Sequence, residues 1–179
     1  MKIAYTMAPV RGDTDLLLCR FAQELGVRGQ KPAGTVQINT ECPDAGPCDM
    51  DVRVLPDGPV IRISQSLGPE AKGCRLDPDA LETAVGLVRR SIRPETDCLI
   101  VNKFGKHEAD GRGFRDVIAD ALSMGIPVVV GLNALNKSAF LDFTGGLGQE
   151  LVPDIRALIQ WLERASISCD KAARADAAC

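Results

Sequence analysis

The stretch Lys2-Ile3-Ala4-Tyr5-Thr6-Met7-Ala8-Pro9-Val10-Arg11-Gly12-Asp13-Thr14-Asp15-Leu16-Leu17 changes character twice. It opens as a short apolar run, breaks into a loop holding Pro9 and Gly12, and resumes with Leu16, Leu17, Cys19, Phe21 and Leu25 at helical spacing. The reading is strand, loop, helix. Gly26 and Gly29 stop the helix, and Gly34-Thr35-Val36-Gln37-Ile38 supplies a second strand of β-branched character.

The same alternation continues outward from this opening. Residues 50–55 and 59–64 alternate in polarity around Pro56-Asp57-Gly58, which predicts a β-hairpin. Asp77-Pro78 starts a helix that runs to about Arg90, with Leu81, Ala84, Val85 and Val88 as its buried stripe. Cys98-Leu99-Ile100-Val101 is continuously apolar, as expected of a strand covered on both faces. A polar loop follows, then a helix with Phe114, Val117, Ile118, Ala121 and Leu122 on one face, ended by Gly125. Residues 127–130 form another buried strand, and a last helix begins at Pro153. Strands alternating with helices imply an α/β fold of three layers, a mostly parallel sheet with an inserted β-hairpin. Residues 1–165 read as a single domain and residues 166–179 as a small, polar, frayed tail. Ligands of such sheets lie beyond the carboxyl ends of the strands, which selects the loops 7–14 and 102–113.

Bulk properties narrow the classes. The 179 residues suit one domain, and 45% hydrophobic with 25% charged residues is ordinary for a packed protein. A net charge of −3 gives no broad attraction to nucleic acid. Pro9, Arg11 and Asp13 come too early for the apolar core of a signal peptide, and no run reaches the roughly 18 apolar residues of a spanning helix. The expectation is a cytoplasmic chain without direct membrane insertion, whose seven cysteines are thiols.

The loop 8–17 lies where a phosphate-binding loop would, so the expected fold is P-loop-NTPase-like. A Walker loop uses glycines to bring backbone N–H groups around phosphates, a lysine to neutralise them, and Ser/Thr to hold magnesium. Gly12 and Thr14 match the last part of that pattern, but Asp13 stands at the lysine position and the earlier glycine is missing. A carboxylate about 4 Å from a phosphate costs a few kcal/mol where lysine would contribute a similar gain. Two readings of Asp13 stand: a cap on a helix whose first turn favours acidic residues, or part of an altered anion site assisted by Arg11.

The loop Asn102-Lys103-Phe104-Gly105-Lys106-His107-Glu108-Ala109-Asp110-Gly111-Arg112-Gly113 holds the single histidine and is denser in charge than any other segment. Lys103, Lys106, His107 and Arg112 together suit an oxyanion or phosphate, and Glu108 could orient His107 or act as a base. A solvated loop with balanced charges is the alternative. Cys42, Cys48 and Cys74, with His107, are candidate metal ligands, although the five residues between Cys42 and Cys48 exceed the roughly two to four usual in zinc sites.

Cys48-Asp49-Met50-Asp51-Val52-Arg53-Val54-Leu55, Gly73-Cys74-Arg75-Leu76-Asp77 and the loop 102–113 resemble segments of a DUF2478-like bacterial family, whose members are often encoded beside molybdate transporter genes. The layout is also similar, more distantly, to the thermophile-type P-loop nucleoside-triphosphatases. There an Asp-Glu pair ends the strand corresponding to residues 98–101, holding magnesium and activating water; Asn102 and Lys103 stand at those positions here. These resemblances imply a small anionic ligand, either a nucleotide that is not hydrolysed or molybdate/tungstate, and a link to molybdenum uptake. A divergent magnesium-dependent hydrolase or phosphotransferase using Glu108 and His107, and a regulatory partner of a molybdate transporter, are the alternatives; homo-oligomerisation is a further possibility for partners. The exchange of a lysine for Asp13 and of acids for Asn102-Lys103 predicts a salt bridge between Asp13 and Lys103, and argues against the usual hydrolytic mechanism.

Overall fold

The computed structural model describes residues 2–40, 49–65 and 75–176. In chain order the elements are β1 (Ile3–Thr6), α1 (Asp13–Val27), β2 (Pro32–Thr40), β3 (Asp49–Leu55), β4 (Val60–Arg62), α2 (Pro78–Ser91), β5 (Cys98–Val101), α3 (Lys106–Ala109), α4 (Arg115–Ser123), β6 (Val128–Gly131), a 3-10 turn (Ala134–Asn136), α5 (Lys137–Phe143), β7 (Gln149–Leu151) and α6 (Ile155–Asp176). Among these residues the strands form one sheet in the order β4-β3-β2-β5-β6-β1-β7. β2, β5, β6, β1 and β7 run parallel, and β3 and β4 join antiparallel at one edge. The expected α/β sheet and inserted hairpin are therefore present.

Strand periodicity divides the core into two layers. Ile3 and Tyr5, Leu99 and Val101, and Val128 and Val130 face α2, α4 and α5, where Leu81, Val88, Ile118 and Phe140 meet them. The intervening Ala4, Ile100 and Val129 face α1 and α6, against Leu18, Phe21, Leu158 and Leu162. Burial on both sides explains why the central strands read as continuous apolar runs. Asp77 caps α2 as its sequence suggests: its carboxylate accepts from Asp79 N at 3.0 Å and Ala80 N at 3.1 Å, with Pro78 at the first helical position.

Several elements differ from expectation. α5 and β7 had no counterpart in the sequence reading, because β7 is three residues long with Gln149 and Glu150 exposed, leaving no apolar run to detect. The last helix starts after Asp154, whose carboxylate accepts from Arg156 N and Ala157 N, and continues to Asp176 rather than ending near residue 165. Ala172, Ala173 and Ala175 are strong helix formers, a signal outweighed in the reading by the lack of an apolar stripe. Cys42, Cys48 and Cys74 lie outside the described residues. Among those described, no three His, Cys, Asp or Glu side chains converge to hold a metal ion, and no helix is long and apolar enough to cross a membrane.

Gly34 marks the tightest approach in the sheet. Its φ is +114°, and a Cβ there would overlap the carbonyl of Ile100 on β5. Gly12 also has positive φ, +93°, but open space around it. Gly34→Ala is expected to cost about 3 kcal/mol or more of unfolding free energy, and Gly12→Ala about 1–2 kcal/mol, as read from urea denaturation.

Candidate functional site

A cavity of about 800 Å³ opens at the carboxyl ends of the parallel strands. Its walls come from the β1–α1 loop (Met7 to Gly12), the first turn of α1 (Thr14, Asp15), Lys103 after β5, the segment 132–135 after β6, and Pro153 after β7. Each contribution follows a strand end, so the parallel sheet alone brings together segments far apart in sequence.

The β1–α1 loop is closed by short bonds. Gly12, in the left-handed region, turns the chain into the helix, Asp13 N donates to Val10 O at 3.3 Å, and Ala8 N donates to the Thr14 hydroxyl at 2.9 Å. Asp13, at the first helical position, points to solvent. Asp15 points inward and is 3% exposed. Lys103 Nζ lies 3.4 Å from each of its carboxylate oxygens. Asn102 joins them: its amide nitrogen donates to Asp15 Oδ1 at 2.8 Å and its oxygen accepts from Gln37 N at 3.0 Å. The expected partner of Lys103 was Asp13. The helix corrects this, because two residues at about 100° each rotate the acidic side chain from the solvent face to the β5 face.

The cavity lining is chemically mixed. Arg11, Thr14, Asp15 and Lys103 are polar, and Met7, Val10, Leu132, Ala134, Leu135 and Pro153 supply an apolar wall. Leu135 is 92% and Val10 60% exposed, so this wall meets solvent unless a ligand covers it.

The second loop divides. Lys103 reaches the cavity; Lys106, His107 and Arg112 do not line it. Lys106 and Arg112 are exposed, whereas His107 and Glu108 are buried at 5% and 2%. Glu108 organises the loop: its carboxylate accepts from Gly105 N at 2.8 Å and from Phe114 N at 3.3 Å. His107 Nε2 lies 2.7 Å from Glu82 Oε1 on α2, and the same oxygen accepts from Gly113 N at 3.0 Å. Burial pushes the Glu82 carboxyl up, but the hydrogen bonds from His107 and Gly113 outweigh it and hold the carboxyl below its usual range.

Residues 3–161 match the DUF2478 family, described as a protein of unknown function. The chain belongs to this family. DUF2478 aside, it is 35% identical over 162 residues to the molybdenum import ATP-binding protein ModC 2 of Bradyrhizobium diazoefficiens. That match covers 89% of this chain but only 18% of the relative. In fold, the DUF2478 chain is similar to a human cancer-related nucleoside triphosphatase, with a TM-score of 0.59, 17% identity, and 84% and 87% of the two chains covered. It is also similar to THEP1 from the hyperthermophile Aquifex aeolicus, with a TM-score of 0.51, 22% identity, and 92% and 96% covered. The fold is thus P-loop-NTPase-like.

Sequence reading missed Asp15 and the apolar wall of this DUF2478 site. In one dimension Asp15 is a second acid in the first turn of the helix beside Asp13. The available signal was Asn102-Lys103 itself, since an ammonium at the end of a buried strand calls for an acid on the adjoining helix turn. Segment 132–135 gave no signal, being neither glycine-rich nor charged.

Glu108 provides a test of the loop's construction. Burial raises its carboxyl above the usual value, against the lowering by hydrogen bonds from Gly105, Phe114 and its own backbone amide. The native state then holds the proton more tightly than the unfolded chain. Its contribution is largest below the unfolded pKa of about 4.3 and declines as pH rises through the window up to the raised native value. Glu108→Gln keeps only one oxygen acceptor and is expected to cost about 1–3 kcal/mol. That deficit should be largest at low pH and shrink as pH rises through the window, as read from denaturation of both proteins across pH.

Proposed function

We propose that the cavity binds a nucleotide without hydrolysing it, and that the protein acts on the cytoplasmic side in molybdenum uptake. The supporting observation is a cavity of about 800 Å³ lined by both charged and apolar side chains. A ligand that fills it presents a flat apolar part to Met7, Leu132, Ala134 and Leu135 and an anionic part to Lys103 and the start of α1. A nucleoside phosphate has both. A tetrahedral oxyanion such as molybdate or tungstate has only the second, and would leave the apolar wall uncovered.

The reading without hydrolysis is supported by the state of the acidic side chains. Hydrolysis needs a residue that orients the attacking water at the terminal phosphate. Asp15, the acid in the cavity lining, is engaged by Lys103 and Asn102, while Glu108 stands outside that lining with both oxygens accepting from backbone amides. The molybdenum setting is supported by the name of the relative, whose matching region is one part of a much longer protein. A regulatory role beside an import ATPase is consistent with a domain that binds a nucleotide and leaves it intact.

A thermal-shift and calorimetric titration against adenine and guanine nucleotides, molybdate, tungstate and phosphate tests this reading. Nucleotide at about 100 times its Kd should stabilise the fold by about 2.7 kcal/mol, with no phosphate released. Stabilisation by molybdate or tungstate, with none by nucleotides, would replace the nucleotide with the oxyanion as the ligand.

A further inference from the structure

A Walker-type site meets a triphosphate with two cations, the loop lysine and a magnesium ion held by the loop Ser/Thr and a strand-end carboxylate. This chain is built differently at both. Asp13 takes the lysine's place and stands outside the cavity lining. Magnesium requires oxygen donors in a near-octahedral shell. The oxygens nearest to such a position already receive N–H donors: Thr14 Oγ1 from Ala8 N at 2.9 Å, and Asp15 from Lys103 Nζ at 3.4 Å and the Asn102 amide at 2.8 Å. The strand end that would contribute acids contributes an ammonium and an amide. The residues present do not fit a magnesium ion.

The charge inventory limits the ligand as well. Among the described residues lining the cavity, Arg11 and Lys103 are basic and Asp15 is acidic, leaving one cation in excess. The amides of the first turn of α1 add only a fraction of a charge. Lys103, whose side chain is 35% exposed beside a carboxylate that is 4% exposed, is anchored at depth yet open to the cavity. Resting on the nucleotide reading above, we propose that the site is selective for a nucleotide with a single phosphate group and binds it without a divalent metal, the Lys103 ammonium standing in the metal's role. A second or third phosphate finds no further cation, so each lengthening of the chain weakens binding.

The test is isothermal titration calorimetry of the full chain with AMP, ADP, ATP, GMP and GTP, each in EDTA and in excess magnesium. A monophosphate should bind with an affinity that changes by less than about twofold between the two conditions, and its triphosphate at least about tenfold more weakly. Tighter binding of a triphosphate with magnesium, or a monophosphate that binds only with magnesium, overturns the proposal while leaving nucleotide binding intact. No binding of any of the five overturns the nucleotide reading itself, and this proposal with it. Lys103→Ala should lower monophosphate affinity at least about tenfold, and Lys103→Arg should retain most of it. Unchanged affinity in Lys103→Ala assigns the phosphate elsewhere and overturns the role of Lys103. If Lys103→Ala does not fold, Lys103→Met combined with Asp15→Asn removes both charges together and should show the same loss.

Discussion

A carboxylate on the first turn of α1 and two side chains at the end of β5 hold the cavity end of this protein together. Asp15, Asn102 and Lys103 make one polar unit, buried at Asp15 and Asn102 and half-buried at Lys103, that also reaches the backbone of β2 through Gln37. Burying an ion pair gives little net stability, because desolvation offsets most of the attraction, but removing one partner is costly. The unit therefore acts mainly as a geometric constraint. It fixes how far α1 enters above the sheet and how far Lys103 extends. Gly131 on β6 makes the approach possible: a Cβ there would lie 2.7 Å from Leu18 Cδ1 and 3.2 Å from both the Asn102 side chain and Thr14 Cγ2.

A second set of contacts ties the loop after β5 to itself, to α2 and to α5. Glu108 holds Gly105 and Phe114, Glu82 holds His107 and Gly113, and Arg115 lies 4.3 Å over the Phe143 ring while reaching Glu108 O. Gly113 has φ +62°, and a Cβ there would overlap Glu108 Oε1, so glycine allows the carboxylate to nestle against the turn. The densest polar segment of the sequence is thus largely scaffold. Glu108 faces the loop's own backbone and His107 faces α2, Lys106, Asp110 and Arg112 are exposed, and Lys103 at the loop's start reaches the cavity.

The legible parts of the fold were those whose chemistry is local. Asp77-Pro78 announces a helix start by capping alone, Cys98 to Val101 announces a covered strand by unbroken apolarity, and Pro56-Asp57-Gly58 announces the hairpin. The break between β1 and α1 marks a loop that lines the cavity, because Pro9 and Gly12 interrupt two different periodicities. What stayed hidden depends on partners distant in sequence. β7 is a strand only because β1 offers it an edge, with Tyr5 paired to Glu150, and residues of such a segment carry no pattern of their own. Asp13 and Asp15 look alike in one dimension; only the helix rotation and the position of Lys103 separate a solvent-facing acid from a buried one.

The placement of β1 has a consequence for how the chain reaches its native state. The first strand made is flanked in the finished sheet by β6 and β7, its residues Ala4 and Tyr5 pairing with Val129 and Val130 on one side and Gln149 and Glu150 on the other. Parallel pairings across such separations must overcome loop-closure entropy before they yield contacts, so they are slow to form. During synthesis, Ile3 to Thr6 leave the ribosome well before either neighbour, and the strand stays unpaired until residues 128–151 have followed. β2, β3 and β4 pair with their sequence neighbours and close much shorter loops, so the strand pairings beside the cavity carry the larger closure entropy.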